Sequence, residues 1–172
     1  REAIRLKQDY ADSHNNLGNV LKAQGKLTEA KRYFQSALKI NPSYVEAYNG
    51  LGNVLRDESN IKEAILSYRK ALEINPTYSE ALNNLGNALQ LIGKLNESEK
   101  LLSKAINTKP NYAEAYNNLG NTQKIKGELK SAITNFEKAI RCKPNYYNAK
   151  VNLATALHRD LQSKRALEIL DE

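Results

Sequence analysis

The chain reads as an all-α protein, a solenoid of antiparallel helix pairs, on three observations. Asn-Asn-Leu-Gly-Asn occupies residues 15–19, 83–87 and 117–121, with Asn-Gly-Leu-Gly-Asn at 49–53, so the motif returns every 34 residues. Proline keeps the same spacing, at Pro42, Pro76, Pro110 and Pro144. Apolar and small residues after each motif also recur in register. A fixed period of this size marks a stacked array of supersecondary units, none of which can bury its apolar face alone. Counted from Ala11, the units are 11–44, 45–78, 79–112 and 113–146. Residues 1–10 read as the tail of a preceding unit and 147–172 as a truncated fifth, all expected to form one continuous domain. "Place n" below is the nth residue of a unit.

Each unit opens with a first helix. At ~100° per residue, places 4, 7, 8 and 11 share one side. They hold His14, Leu17, Gly18 and Leu21 in unit one and Tyr48, Leu51, Gly52 and Leu55 in unit two, which makes that side the packed one. Places 2, 5, 6, 9, 12 and 13 form the opposite stripe, which in unit one is Asp12, Asn15, Asn16, Asn19, Lys22 and Ala23 and is expected to be solvated. Gly25, Gly93 and Gly127 suit a left-handed end to the first helix, with Ser59 and Leu161 at that place in units two and five. A second helix follows. Its small residues at place 20 (Ala30, Ala64, Ser98, Ala132, Ala166) and place 27 (Ala37, Ala71, Ala105, Ala139) let axes approach closely, and Phe34, Tyr68, Leu102 and Phe136 stand at place 24. Proline at place 32 stops it, since a continuing turn needs the amide hydrogen that proline lacks.

The order Leu-Gly, small residue, aromatic, alanine, proline resembles the tetratricopeptide repeat. The resemblance covers nearly the whole chain and implies helix-turn-helix units wound into a right-handed superhelix. Departures are local: Ser98 and Leu102 in unit three, Ser59 in unit two, Ala154 and Leu161 in unit five.

Composition excludes several classes. No apolar run approaches the ~20 residues of a membrane helix, so a soluble protein is expected; the compartment is unknown from the sequence, with an intracellular one favoured. The single cysteine, Cys142, falls where Ile40 and Ile74 stand in other units and reads as a packed thiol. His14 and His158 occupy repeat places and form no metal site, and no nucleophile with base and orienting partner stands out. Neither catalytic residues nor cofactors are expected within these residues. A net charge of +7 raises nucleic acid as a partner. Against it, the polar stripe carries Asp12, Glu46, Glu80 and Glu114 at place 2 and lacks aromatics at places 5, 9 and 12 for base stacking. "NPSY" at 41–44 and "NPTY" at 75–78 read as inter-unit turns, and the sequon Asn96-Glu97-Ser98 puts its serine at a packing place.

The asparagines remain. Place 5 holds Asn15, Asn49, Asn83 and Asn117; place 6 holds Asn16, Asn84, Asn118 and Asn152, with Gly50 breaking the row; place 9 holds Asn19, Asn53, Asn87 and Asn121. An asparagine side chain carries both a donor and an acceptor, so it can meet both the N–H and the C=O of a passing peptide. Helices ~8–10 Å apart would place a rung at about every third residue of an extended chain. The expected function is a module that binds a peptide or protein segment in a concave groove, with Lys22, Arg56 and Lys124 along one edge. Asparagine at places 6 and 9 is also common in the family as a bond between neighbouring helices.

The "NLGN" helices are further similar to the arm of O-linked N-acetylglucosamine transferases, which implies as an alternative a substrate-presenting arm of a larger enzyme. The family's carboxylate clamp needs lysine at place 5, where this chain has asparagine or Val151. The chain begins without methionine and reads as part of a longer protein. Ile4 and Leu6 at one end and Ala166, Leu167, Ile169 and Leu170 at the other look uncapped, and end-to-end self-association is expected.

Overall fold

The structure is a computed structural model that describes residues 2–161 together with 166 and 169, with side chains from Asp9 onward. Among these residues the regular structure is helical: α1 (Glu2–Ala23), α2 (Leu27–Ile40), α3 (Val45–Asp57), α4 (Ile61–Ile74), α5 (Ser79–Leu91), α6 (Leu95–Thr108), α7 (Ala113–Lys126), α8 (Leu129–Cys142) and α9 (Tyr147–Arg159). First helices from α3 onward begin 34 residues apart, as do the second helices. The chain divides into two compact units, Arg1–Ala88 and Leu89–Glu172, with the boundary inside α5. Within the first unit α1 packs on α2, α3 on α4, and α2 on α3; within the second α7 packs on α8, and α6 and α9 on α7 and α8 respectively.

The turns follow from the sequence. Residues 25, 59, 93, 127 and 161 all have positive φ, from 62° to 84°. Glycine accepts this conformation without strain, whereas Ser59 and Leu161 adopt it at a cost. At the prolines the chain leaves the helix in a short turn. Asn41 Oδ1 accepts the Ser43 amide at 3.0 Å, and Asn75 Oδ1 accepts the Thr77 amide at 3.1 Å. The two "NP" stretches are thus asparagine-stabilised turns.

Residues 2–10 are joined to the first unit without a turn, because α1 runs unbroken from Glu2 to Ala23. Gln8 stands where the other units have proline, so the amide that proline would remove is present and the helix continues. The consequence is local. Leu51 packs against the Phe34 and Ala37 cluster of α2, but residues 2–10 extend along the axis of α1 instead of folding back beside it. Leu17 is left 39% exposed and Val20 52% exposed, whereas Leu119, Leu153 and Val54 at the corresponding places are buried.

Small residues let the rings in. Ala30, Ala37, Ala64, Ala71, Ala105, Ala132 and Ala139 are fully buried, as are Phe34, Tyr68 and Phe136. A Cβ added to Gly52 would lie 2.5 Å from the Tyr68 ring, and one added to Gly120 would lie 2.6 Å from the Phe136 ring. Each buried ring contributes roughly 1.5–3 kcal/mol, and the glycine beneath it is required by contact. Phe34 also lies against Gly50, where an added Cβ would collide with the ring. In the second unit Ala166 is buried and Ile169 half-buried against the cluster of Ile133, Phe136, Leu153 and Leu157. Leu167 and Leu170, and the side chains of Ile4 and Leu6, lie outside the described residues. No helix among the described residues is long and apolar enough to cross a membrane.

Candidate functional site

The polar stripe separates into two layers. Asn15, Asn49, Asn83 and Asn117, expected to be solvated, are instead buried at 5%, 9%, 5% and 5% exposure. Helix twist turns place 5 toward the next first helix, where it meets place 6 of the following unit. Asn84 Nδ2 donates to Asn49 Oδ1 at 2.9 Å, and Asn152 Nδ2 donates to Asn117 Oδ1 at 3.0 Å. A buried amide needs such a partner, since an unsatisfied polar group costs ~1–3 kcal/mol. Gly50 breaks the pattern: it has no side chain to offer Asn15, and Asn15 Oδ1 is buried without a hydrogen-bond partner.

Place 6 and place 9 reach further out. Asn16 and Asn19 are exposed, and Asn53, Asn84, Asn87, Asn118, Asn121 and Asn152 are half-buried. Asn53 Oδ1 accepts the Tyr68 hydroxyl at 2.9 Å, a bond that phenylalanine at Phe34 and Phe136 cannot make. Asn16, Asn19, Asn87 and Asn121 make no side-chain hydrogen bond among the described residues.

The acidic row at place 2 is engaged with tyrosines that close the units. Burial and a hydrogen bond to Asp12 raise the Tyr44 pKa, and burial with Glu80 and Glu46 nearby pushes Tyr78 up to about 12. Burial and Glu114 raise Tyr146 in the same way, and Glu114 also pairs with Lys143 at 3.5 Å.

The basic edge is divided too. Asp57 neutralises the first unit's cations, 3.9 Å from Lys22 and 3.2 Å from Arg56. Lys124 instead donates to Asn152 Oδ1 at 3.2 Å and lies 5.6 Å from the centroid of the Phe136 ring. Burial and the Arg159 guanidinium hold its pKa below the usual lysine range. Sequence reasoning placed Lys22, Arg56 and Lys124 in one class, because the neutralising Asp57 stands at place 13 and has no acidic counterpart at Ile125 or Arg159.

Other candidates are accounted for by packing. His14 Nδ1 donates to the Tyr10 carbonyl at 2.9 Å, and its ring lies 5.7 Å from that of Tyr33. Ser98 of the sequon is fully buried and bonded to Thr122 at 3.1 Å. Cys142 is a half-buried free thiol. Among the described residues no group of three or more histidine, cysteine, aspartate or glutamate side chains is placed to hold a metal ion. A surface depression along α6, between Asn96 and Asn107, lies on a second helix and contains none of the asparagine stripe.

Comparison with known proteins agrees with this architecture. Models described as tetratricopeptide repeat match residues 11–44 and 77–145, and one described as TPR repeat matches 52–93. No curated protein matches the sequence significantly. Among solved structures, pilF of Pseudomonas aeruginosa is 26% identical with a TM-score of 0.89, over 96% of this chain and 75% of that one. MamA is 28% identical with a TM-score of 0.76, over 90% of each chain. YrrB, described as a TPR protein with an unusual peptide-binding site, is 26% identical with a TM-score of 0.71, over 99% of this chain and 88% of that one. Repeat spacing, helix pairing and these likenesses lead to one assignment: the chain is an all-α solenoid that belongs to the tetratricopeptide repeat family.

Proposed function

We propose that this protein is an interaction module whose first helices hold an extended peptide segment by its backbone. The observation that carries the reading is the outer layer of side-chain amides, Asn16 and Asn19 exposed and Asn87 and Asn121 half-buried, with donor and acceptor unengaged among the described residues. The buried layer beneath them supports it. Bonds such as Asn84 to Asn49 tie neighbouring first helices together within a compact unit and support the outer amides beside them. An amide row reads main chain and is permissive toward side chains. At ~0.5–1.5 kcal/mol net per hydrogen bond, a few rungs less the ordering of the peptide give affinities of about micromolar. The peptide-binding site named for YrrB is consistent with this reading.

Titration with fluorescent peptides of random extended sequence tests it. Asn16→Ala combined with Asn19→Ala should weaken binding about tenfold, the loss of one to two hydrogen bonds. Melting should be unchanged, because neither side chain makes a bond among the described residues. Unaltered binding with a lowered melting temperature would make these asparagines structural and overturn the reading.

A further inference from the structure

The first helix carries an exposed stripe that neither the packing of its own unit nor the asparagine row accounts for. Tyr10 is 61% exposed, Ser13, Leu17 and Val20 are exposed with it, and Gln24 follows one turn beyond Val20. These positions advance by three and four residues in alternation, which sets them along one side of a helix and is the spacing of a two-helix seam. In the sequence the same spacing runs back through Leu6 and Ala3, so it spans the whole of α1 and contains no charged residue. Its described members are already ordered. Ser13 Oγ donates to the Asp9 carbonyl at 2.8 Å, and the Tyr10 ring lies 4.6 Å from that of His14. At the places of Ser13 and Val20 in later units, Ala47 and Val54 are fully buried, as are Ala149 and Ala156. There the preceding second helix covers the first, α2 against α3 and α8 against α9.

The course of α1 limits what can cover the stripe. With no turn at residues 8–11, residues 2–10 are carried along the helix axis by ~1.5 Å each and do not fold back over Leu17 and Val20 as α2 folds against α3. The stripe is, however, complementary to itself. Turned antiparallel about Ser13, it sets its smallest described member against its own copy where two helices cross closest, Tyr10 opposite Leu17, and residues 2–10 along the Val20 end of the other helix.

We propose that α1 is a homodimerisation helix, two copies of this chain pairing their α1 helices antiparallel about a two-fold axis at Ser13. Each contact is then made twice and the association closes at two copies, whereas joining opposite ends of the array would propagate. The net charge of +7 on each copy opposes pairing; because the seam is uncharged, added salt screens that repulsion and should tighten the dimer. A single helix pair is a small interface, so a dissociation constant of about 10–100 micromolar is expected. None of the outer asparagines belongs to the stripe, and the inference stands apart from the peptide-binding reading.

Sedimentation equilibrium of the whole chain, from about 5 to about 500 micromolar, should show monomer and dimer and no larger species, for the interface size given. Val20→Gln keeps the charge and the helix and enters the seam twice, so it should weaken the dimer about tenfold. The helical content and melting of the monomer should hold, since Val20 is exposed. In a Cys142→Ser background, Ser13→Cys should oxidise to a covalent dimer, because only the residue on the two-fold axis meets its own copy. Val20→Cys, off the axis, and Ser131→Cys, exposed on α8, should not. A monomer throughout the concentration range, a dimer indifferent to Val20→Gln, or one that crosslinks no better through Ser13→Cys than through the two controls overturns the proposal. Species that grow beyond the dimer with concentration overturn it as well, in favour of association between opposite ends of the array.

Discussion

Asn15 and Asn49 are the same residue at the same place of successive units, both buried, yet their surroundings differ by one side chain. Asn49 accepts from Asn84, whereas Asn15 faces Gly50 and its oxygen has no partner. Asn49→Ala should therefore cost about 1 kcal/mol, the loss of a bond and of the partner for Asn84. Asn15→Ala removes no bond from that oxygen and should cost clearly less. Denaturant midpoints of the two variants compare them directly, and an equal loss would mean that the inter-unit bond contributes nothing. The contrast also sets which asparagines are suited to test peptide binding. Asn84 and Asn118 are tied into the fold, so only Asn16, Asn19, Asn87 and Asn121 separate binding from stability.

At the scale of the helix, one residue decides where an element ends. Gln8 in place of proline fuses residues 2–10 to the first unit, and Leu17 and Val20 lose the cover that later units have. Ser59 ends α3 with a left-handed φ of 63° where Gly25, Gly93 and Gly127 end other first helices. Because a Cβ in this conformation costs ~1–2 kcal/mol, partly offset by the greater freedom of glycine in the unfolded chain, Ser59→Gly should stabilise the protein by roughly 0.5–1 kcal/mol. Thermal or chemical denaturation checks it; a loss of stability would show that the serine hydroxyl has a role in the turn. Unit three has a paired change of another kind. Ser98 at an alanine place is satisfied by Thr122, which occupies a place held by valine or alanine in other units, so the two polar residues compensate each other. Neither is intelligible alone.

Over the whole molecule, buried and half-buried tyrosines recur through both compact units and give stability a common dependence on alkaline pH. Burial pushes Tyr68 up to about 12 from an ordinary value of 10, and partial burial with Glu80 and Glu46 nearby pushes Tyr78 to about 12. Tyr44 and Tyr146 are raised by burial and by Asp12 and Glu114. A raised folded pKa means that the fold favours the protonated hydroxyl. Its contribution is fully present below about pH 10 and is lost as pH rises toward about 12, when the unfolded chain ionises first. Two pKa units at Tyr68 correspond to about 2–3 kcal/mol. Denaturant midpoints should stay level to about pH 10 and then fall to about pH 12, with a shallower fall for Tyr68→Phe. A level profile through pH 12, or one unchanged by Tyr68→Phe, would sink this account.

The period, the helix pairing, the left-handed turn places and the family were legible in the residues themselves. Each depends on local chemistry repeated at a fixed interval: proline lacking a donor, glycine accepting positive φ, small residues admitting neighbouring rings. The candidate stripe was legible as a set of positions but not in its division. Whether an asparagine is a buried tie or a reachable amide depends on the side chain opposite it on the next first helix, about a full repeat away, as Asn84 is to Asn49 and Gly50 is to Asn15. Charge has the same limit. Lys22, Arg56 and Lys124 look alike along the chain, and the tertiary structure alone separates them, because Coulomb attraction acts through distance and Asp57 reaches the first two while Arg159 approaches the third.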